Sequence, residues 1–206
     1  MKVLVIGSGA KEHAITWAFS KSRRISALYA VPGNAGTEEI AENVPNVDPE
    51  NPEEILALSR KLEINFVFCS TERAQAAGVV NRLTEEGFSV FGAPKESAQL
   101  ETDRRFAEEF MSRHNIPTVE SVFINTKDEL ERYLDKHPER TVLKKNGLGR
   151  NIRSFESQSR EELWTFGEKV LETDTLVAEP YIEGYNLSIL ALVDGDHYLT
   201  LPPASD

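Results

Sequence analysis

Cysteine is almost absent from this chain: Cys69 stands alone among 206 residues. A single thiol cannot close an internal disulfide, which fits a reducing compartment and makes the cytoplasm the expected location. No base stands beside Cys69 in the sequence, so it reads as a small buried apolar residue at a strand end rather than a nucleophile. Cationic charge is also short. Lys and Arg number 23 against 34 Asp and Glu, a formal net charge of −11. Nucleic-acid binding draws most of its affinity from Lys and Arg against phosphate, so this balance speaks against a nucleic-acid partner. Small phosphorylated ligands need only a few local donors and stay open. No apolar run approaches the ~20 residues of a membrane span. The first residues, Val3, Leu4, Val5 and Ile6, run straight into glycine, as a buried strand does and a signal peptide does not. No membrane partner is expected.

What is present is ordinary for a globular chain: 40% hydrophobic and 28% charged residues. This length suits one or two domains and allows burial of roughly 70% of the unfolded surface. Residues 2–6 read as a buried parallel strand. Helical spacing follows, with His13, Ala14, Trp17 and Ala18 able to share one face. Strands are expected at 27–31, 65–69 and 89–91, and helices at 52–62 and 73–86, the last stopped by Gly87. Pro32, Gly33 and Asn34 mark a turn that needs positive φ. Alternation of this kind implies a doubly wound parallel sheet, whose ligands gather at the carboxyl ends of the strands.

Residues 95–115 read as one charged helix leading to a different kind of unit. An extended stretch at 119–124 precedes a helix at 126–136, where Thr126 and Glu129 have capping-box spacing. A strand at 141–144, a glycine loop from Asn146, a strand-like piece at 152–156, a capped helix from Ser159, and antiparallel strands at 176–179 and 187–193 complete an α+β pattern. A hairpin turn is expected at Asp194, Gly195 and Asp196. The expected division is 1–93, a connecting segment 94–118, and 119–206. No internal repeat or low-complexity tract occurs.

The motif best suited to a ligand is Gly7-x-Gly9. Glycine lets the backbone approach a phosphate, and the helix start behind it supplies free N–H donors. A dinucleotide fingerprint would need a third glycine at position 12, where Glu12 stands. A structural turn without ligand remains the plain alternative. His13 is either a packed histidine or a substrate contact. Lys144 and Lys145 end a strand before a glycine loop, where an ammonium can reach a phosphate. Glu179 and Glu183 flank Pro180, Tyr181 and Ile182. They either hold a ribose or metal or are ordinary surface carboxylates.

Read together, several segments resemble the phosphoribosylamine–glycine ligase family of ATP-grasp enzymes in purine biosynthesis. MKVLVIGSGAKEHA, VPGNAGT, FGAPKESAQLE with FAEEFMSRHNIPT, VLKKNGLG, EPYIEG and LALVDGDHYLTL follow in that family's order over nearly the whole chain. The resemblance implies a pre-ATP-grasp α/β domain followed by a small α+β ATP-grasp lid. It implies ATP-dependent amide formation between glycine and phosphoribosylamine through an acyl phosphate, with ATP and Mg²⁺ required. It turns Gly7, Gly9, Ala10, Lys11, Glu12, His13, Asn34 and Glu72 toward the phosphosugar. It turns Arg104, Lys144, Gly147, Gly149, Arg150, Glu179 and Asn186 toward ATP. It identifies no catalytic residue and no metal ligand within the chain.

Departures from the family's pattern sit mainly at the ATP end. Ser70-Thr71-Glu72 stands for Gly-Pro-Glu, and Glu101-Thr102-Asp103-Arg104 for Glu-Gly-Ser-Lys. The run from Asn146 to Arg153 stands for Asp-Gly-Leu-Ala-Ala-Gly-Lys-Gly, with Asn151, Ile152 and Arg153 at the Gly-Lys-Gly positions. Asn186 replaces a carboxylate. The family's enzymes continue beyond position 206, with their Mg²⁺-binding acids in that part. A separate C-terminal half or an oligomer is therefore an expected partner, and turnover by these residues alone is not expected. The alternative is a non-catalytic phosphosugar- or nucleotide-binding module.

Overall fold

The computed structural model describes residues 1–148 and 154–205. The chain opens with β1 (Lys2–Gly7), α1 (Ala10–Ser20), β2 (Ala27–Pro32), α2 (Ala35–Glu38), β3 (Glu42–Asn43), α3 (Pro52–Lys61), β4 (Phe66–Cys69), α4 (Glu72–Ala76), α5 (Val79–Glu85) and β5 (Ser89–Phe91). These strands form one parallel sheet in the order β3-β2-β1-β4-β5. Strand order reverses between β1 and β4, so the crevice of this sheet opens beyond their carboxyl ends.

Alternation along β1 divides the core. Leu4 and Ile6 face α3 and α5, where Ile55, Leu56, Val79 and Leu83 pack with Val31 and Val67. Val3 and Val5 face the other way, with Leu28, Ile15 and Phe19 of α1, Phe66 and Phe68. Both faces of β1 are covered, which is why its sequence is continuously apolar rather than alternating.

Two connecting helices follow, α6 (Lys95–Thr102) and α7 (Arg104–Arg113). The second unit contains β6 (Val122–Ile124), α8 (Lys127–Lys136), β7 (Thr141–Lys145), β8 (Ser154–Ser157), α9 (Arg160–Leu171) and β9 (Leu176–Pro180). Its sheet is antiparallel, in the order β6-β9-β7-β8. Leu143, Leu176 and Ala178 of the sheet pack with Leu130, Tyr133 and Leu134 of α8 and Leu163 and Val170 of α9. The helices approach closely at Gly167, where a Cβ would stand 2.6 Å from Leu130 Cδ2. The chain then forms β10 (Leu187–Ser188), β11 (Ala191–Asp194), β12 (His197–Thr200) and β13 (Ala204–Ser205), two small antiparallel pairs. The fold is the expected doubly wound parallel sheet followed by an α+β unit.

Three elements expected to be continuous are divided. The 95–115 helix breaks at Asp103, which has extended dihedrals, ends α6 and caps α7 through Phe106 N. The 73–86 helix breaks at Gly78, where φ is 87°. A left-handed residue cannot continue an α-helix, and glycine adopts it without steric cost. The 187–193 strand splits into β10 and β11. Residues 152 and 153 of the expected strand-like piece lie outside the described residues. Among those described, no helix is long and apolar enough to cross a membrane.

Candidate functional site

The first cluster lies over the carboxyl ends of β1 and β4. Glu12, in the first turn of α1, is 4% exposed. Its Oε2 accepts from Gly9 N at 3.1 Å and its Oε1 from Ser70 Oγ at 2.6 Å. An acidic side chain reaching back to the N-cap amide is half of a capping box, and it opposes the positive end of the helix. Lys11 lies above it. Its Nζ donates to Ser70 O at 2.8 Å and to Glu72 Oε1 at 3.3 Å, and it stands 3.8 Å from Glu12 Oε1.

This arrangement gives the two glycines a local reason other than phosphate approach. Gly7 has φ 133°, and a Cβ there would lie 2.5 Å from Glu12 Cγ and 2.6 Å from Thr71 Cγ2. A Cβ on Gly9 would lie 2.9 Å from Glu12 Oε2. The Gly9 N–H, at the turn expected to let the backbone approach a phosphate, is held by the chain's own carboxylate. Ala10 and Lys11 begin α1, where backbone N–H groups have no partner inside the helix.

His13 and Asn34 join this turn to the loop after β2. The His13 ring lies over Gly36, whose Cβ would be 2.3 Å from the ring Cε1. Asn34 Oδ1 accepts from Gly36 N and Thr37 N, at 2.8 and 3.0 Å. Its Nδ2 donates to Ser8 O at 2.9 Å. The Asn34 amide thus ties two loops together, with every one of these contacts internal. Cys69, at the end of β4, is fully buried, and that burial pushes its thiol up to about 12. It carries no thiolate near neutrality and is not a nucleophile.

A second cluster occupies the α+β unit. Lys144 of β7 and Glu179 of β9 form an ion pair, with Glu179 buried and the Lys144 side chain 25% exposed. Val177 sits opposite Lys144 and Val142 opposite Glu179, so the charged pair is a diagonal one on a single face. Lys145 Nζ stands 3.6 Å from Asp174 Oδ2, and Gly147 N donates to the same carboxylate at 3.2 Å. Arg104 Nε donates to Lys145 O at 3.0 Å, which brings the connecting helices to this loop. Asn186 lies in the exposed stretch after β9. Gly149 and Arg150 lie outside the described residues. Among those described, no group of three or more His, Cys, Asp and Glu is placed to hold a metal ion.

Residues 1–101 match the phosphoribosylglycinamide synthetase N domain, and 102–206 match the ATP-grasp (A) domain of the same synthetase. The chain belongs to this family. It is 36% identical to the phosphoribosylamine–glycine ligase of Chlorobaculum tepidum, a match covering all of this chain and 51% of that protein. It is 31% identical to the human trifunctional purine biosynthetic protein adenosine-3, covering 21% of it. The crystal structure of the Thermotoga maritima phosphoribosylamine–glycine ligase superposes with a TM-score of 0.75 and 28% identity, over 98% of this chain and 49% of that one. Carboxyaminoimidazole ribonucleotide synthase from Aspergillus clavatus, solved with ATP, shares the fold with a TM-score of 0.74 and 17% identity. The chain spans about half the length of the phosphoribosylamine–glycine ligases it matches.

The roles of Ser70, Gly36, Asp103 and Asp174 were missed by sequence reasoning. Only the spacing of Glu12 behind Gly9 carried a readable signal, that of an acidic residue at the third helical position. The other contacts join segments far apart in sequence.

Proposed function

We propose that this chain supplies the sugar-facing and nucleotide-facing parts of a ligase that joins glycine to 5-phosphoribosylamine at the expense of ATP. The supporting observation is the Lys144–Glu179 pair beside the pinned loop 145–147. It sets an ammonium and a carboxylate on one face of an ATP-grasp sheet, where the first can meet phosphate and the second a hydroxyl or amine. Lys145 and Arg104 add cationic charge at the same strand end. ATP, when bound, supplies the phosphoryl group that makes a carboxylate reactive toward an amine.

The cluster at the first sheet has a complementary character. Above the buried Glu12, the part-exposed Glu72 and Lys11 side chains present a carboxylate and an ammonium, which suits ribose hydroxyls and an amine, while the start of α1 offers N–H groups to a phosphate. Asn34 and His13 act by holding the loops that frame this crevice. Glycine activation and its acceptor need groups from the remainder of the enzyme, which corresponds to the second half of the longer relatives.

Calorimetry of the chain with ATP and Mg²⁺ tests the reading. Binding in the micromolar range is expected, lost in Lys144→Ala. Supplying a polypeptide equivalent to the second half of the Chlorobaculum tepidum relative then gives ADP release that depends on both glycine and phosphoribosylamine. A folded chain that binds no ATP refutes the nucleotide assignment. Binding with no ADP release under complementation favours a non-catalytic module.

A further inference from the structure

The loop after β7 is held at its start by an arrangement that the proposed chemistry does not use. Asp103 Oδ1 accepts from Phe106 N and also from Asn146 Nδ2, each at 3.2 Å. Asn146 answers from its other end, where Oδ1 accepts from Arg105 N at 3.0 Å. Its carbonyl accepts from Arg104 N at 3.4 Å, and Asp103 bridges to Gly147. On the opposite side, Asn146 N donates to Thr175 O at 3.0 Å and Gly147 N to Asp174 Oδ2 at 3.2 Å. The start of the loop is therefore clamped between the α6–α7 break and the turn before β9.

The clamp has a polarity. Asn146 must donate to Asp103 and accept from Arg105 N, and an amide does both. A carboxylate at position 146 would keep the second bond but face the Asp103 carboxylate at hydrogen-bond distance. Like charges that close repel unless one takes up a proton. The conflict disappears when position 103 carries a hydroxyl. Serine caps a helix about as well as aspartate, and its O–H can donate to a carboxylate. Two pairings thus satisfy the clamp: Asp with Asn, as here, and Ser with Asp, as in the motifs this sequence resembles.

We propose that Asp103 and Asn146 form one positioning pair that holds the start of the loop, Asn146 and Gly147, at the strand end that carries Lys144, and that the departures at the two positions compensate each other. Its bearing on nucleotide binding rests on the function proposed above; the pairing itself does not.

The test uses the 206-residue chain in four forms: unchanged, Asn146→Asp, Asp103→Ser, and the double variant. Amide hydrogen exchange at Arg105, Asn146 and Gly147 reads the clamp without any ligand. Protection is expected to fall about tenfold or more in Asn146→Asp, to change little in Asp103→Ser, and to return to within about threefold in the double variant. ATP–Mg²⁺ affinity by calorimetry should follow the same order, with rescue in the double variant. A double variant as poorly protected as Asn146→Asp overturns the pairing. Restored protection with equal ATP affinity in all four overturns the positioning role. ATP binding by none of the four refutes the nucleotide assignment and leaves exchange to decide the pair. If Asn146→Asp does not fold, a folded double variant supports the pair and an unfolded one overturns it.

Discussion

Replacing Glu12 is the sharpest probe of how the first turn is built. Its carboxylate is buried and accepts from Gly9 N and Ser70 Oγ on separate oxygens, with Lys11 at 3.8 Å. Glu12→Ala leaves the amide and the hydroxyl without their acceptor and opens space that Gly7 and Gly9 had vacated. Hydrogen bonds to a charged group contribute about 1.5–3 kcal/mol, and an orphaned buried donor costs about 1–3 kcal/mol. The two losses overlap, so about 2–4 kcal/mol is expected. In a chain of this size that lowers the melting temperature by roughly 5–15 °C. Glu12→Gln is the discriminating variant. Its oxygen can keep the Gly9 N–H, and its amide can donate to Ser70 Oγ because a hydroxyl rotates and accepts. Only the charge assistance is lost, so about 1 kcal/mol is expected. Urea unfolding of both variants measures the difference. If Glu12→Ala and Glu12→Gln unfold at the unchanged midpoint, the carboxylate does not organise the turn and the explanation of both glycines fails.

Three further outcomes follow from the packing. Breaking the Lys144–Glu179 pair with Lys144→Ala strands a buried carboxylate, and about 2–4 kcal/mol of stability should be lost in denaturant titration. Gly167→Val forces two methyl groups against Leu130, expected to cost about 1–3 kcal/mol, and Leu130→Ala in the same chain should recover part of it. The Cys69 thiol is pushed from 9.0 to about 12 by burial, so the unfolded chain loses this proton first. Stability is therefore intact below pH 9 and declines by about 1.4 kcal/mol per pH unit through the interval up to about 12, for this group alone. Cys69→Ala should flatten that part of the profile, and a thiol reagent at pH 8 should label the unchanged chain only on unfolding.

The sequence by itself determined the elements whose signals are local. Continuous apolar runs specified the parallel strands β1 and β4, because a strand covered on both faces leaves no polar positions. The Thr126–Glu129 spacing specified the start of α8, confirmed by the bond from Glu129 N to Thr126 Oγ1. Order and spacing of several motifs were enough to point to the family. At Gly78 the glycine permits the left-handed residue that ends α4 without announcing it. Tertiary structure decided the break at Asp103, where the distant Asn146 accepts from Arg104 N and Arg105 N. It also decided what Glu12 does. From sequence, glycines followed by a helix read as room for a ligand phosphate. In the fold, that room beside Gly7 and Gly9 is taken by the chain's own carboxylate, held by Ser70 some sixty residues away. The pairing of Lys144 with Glu179 and the clamp at Asn146 have the same origin. Both join residues 35 or more positions apart, so their partners are fixed by strand register and helix placement rather than by any local pattern.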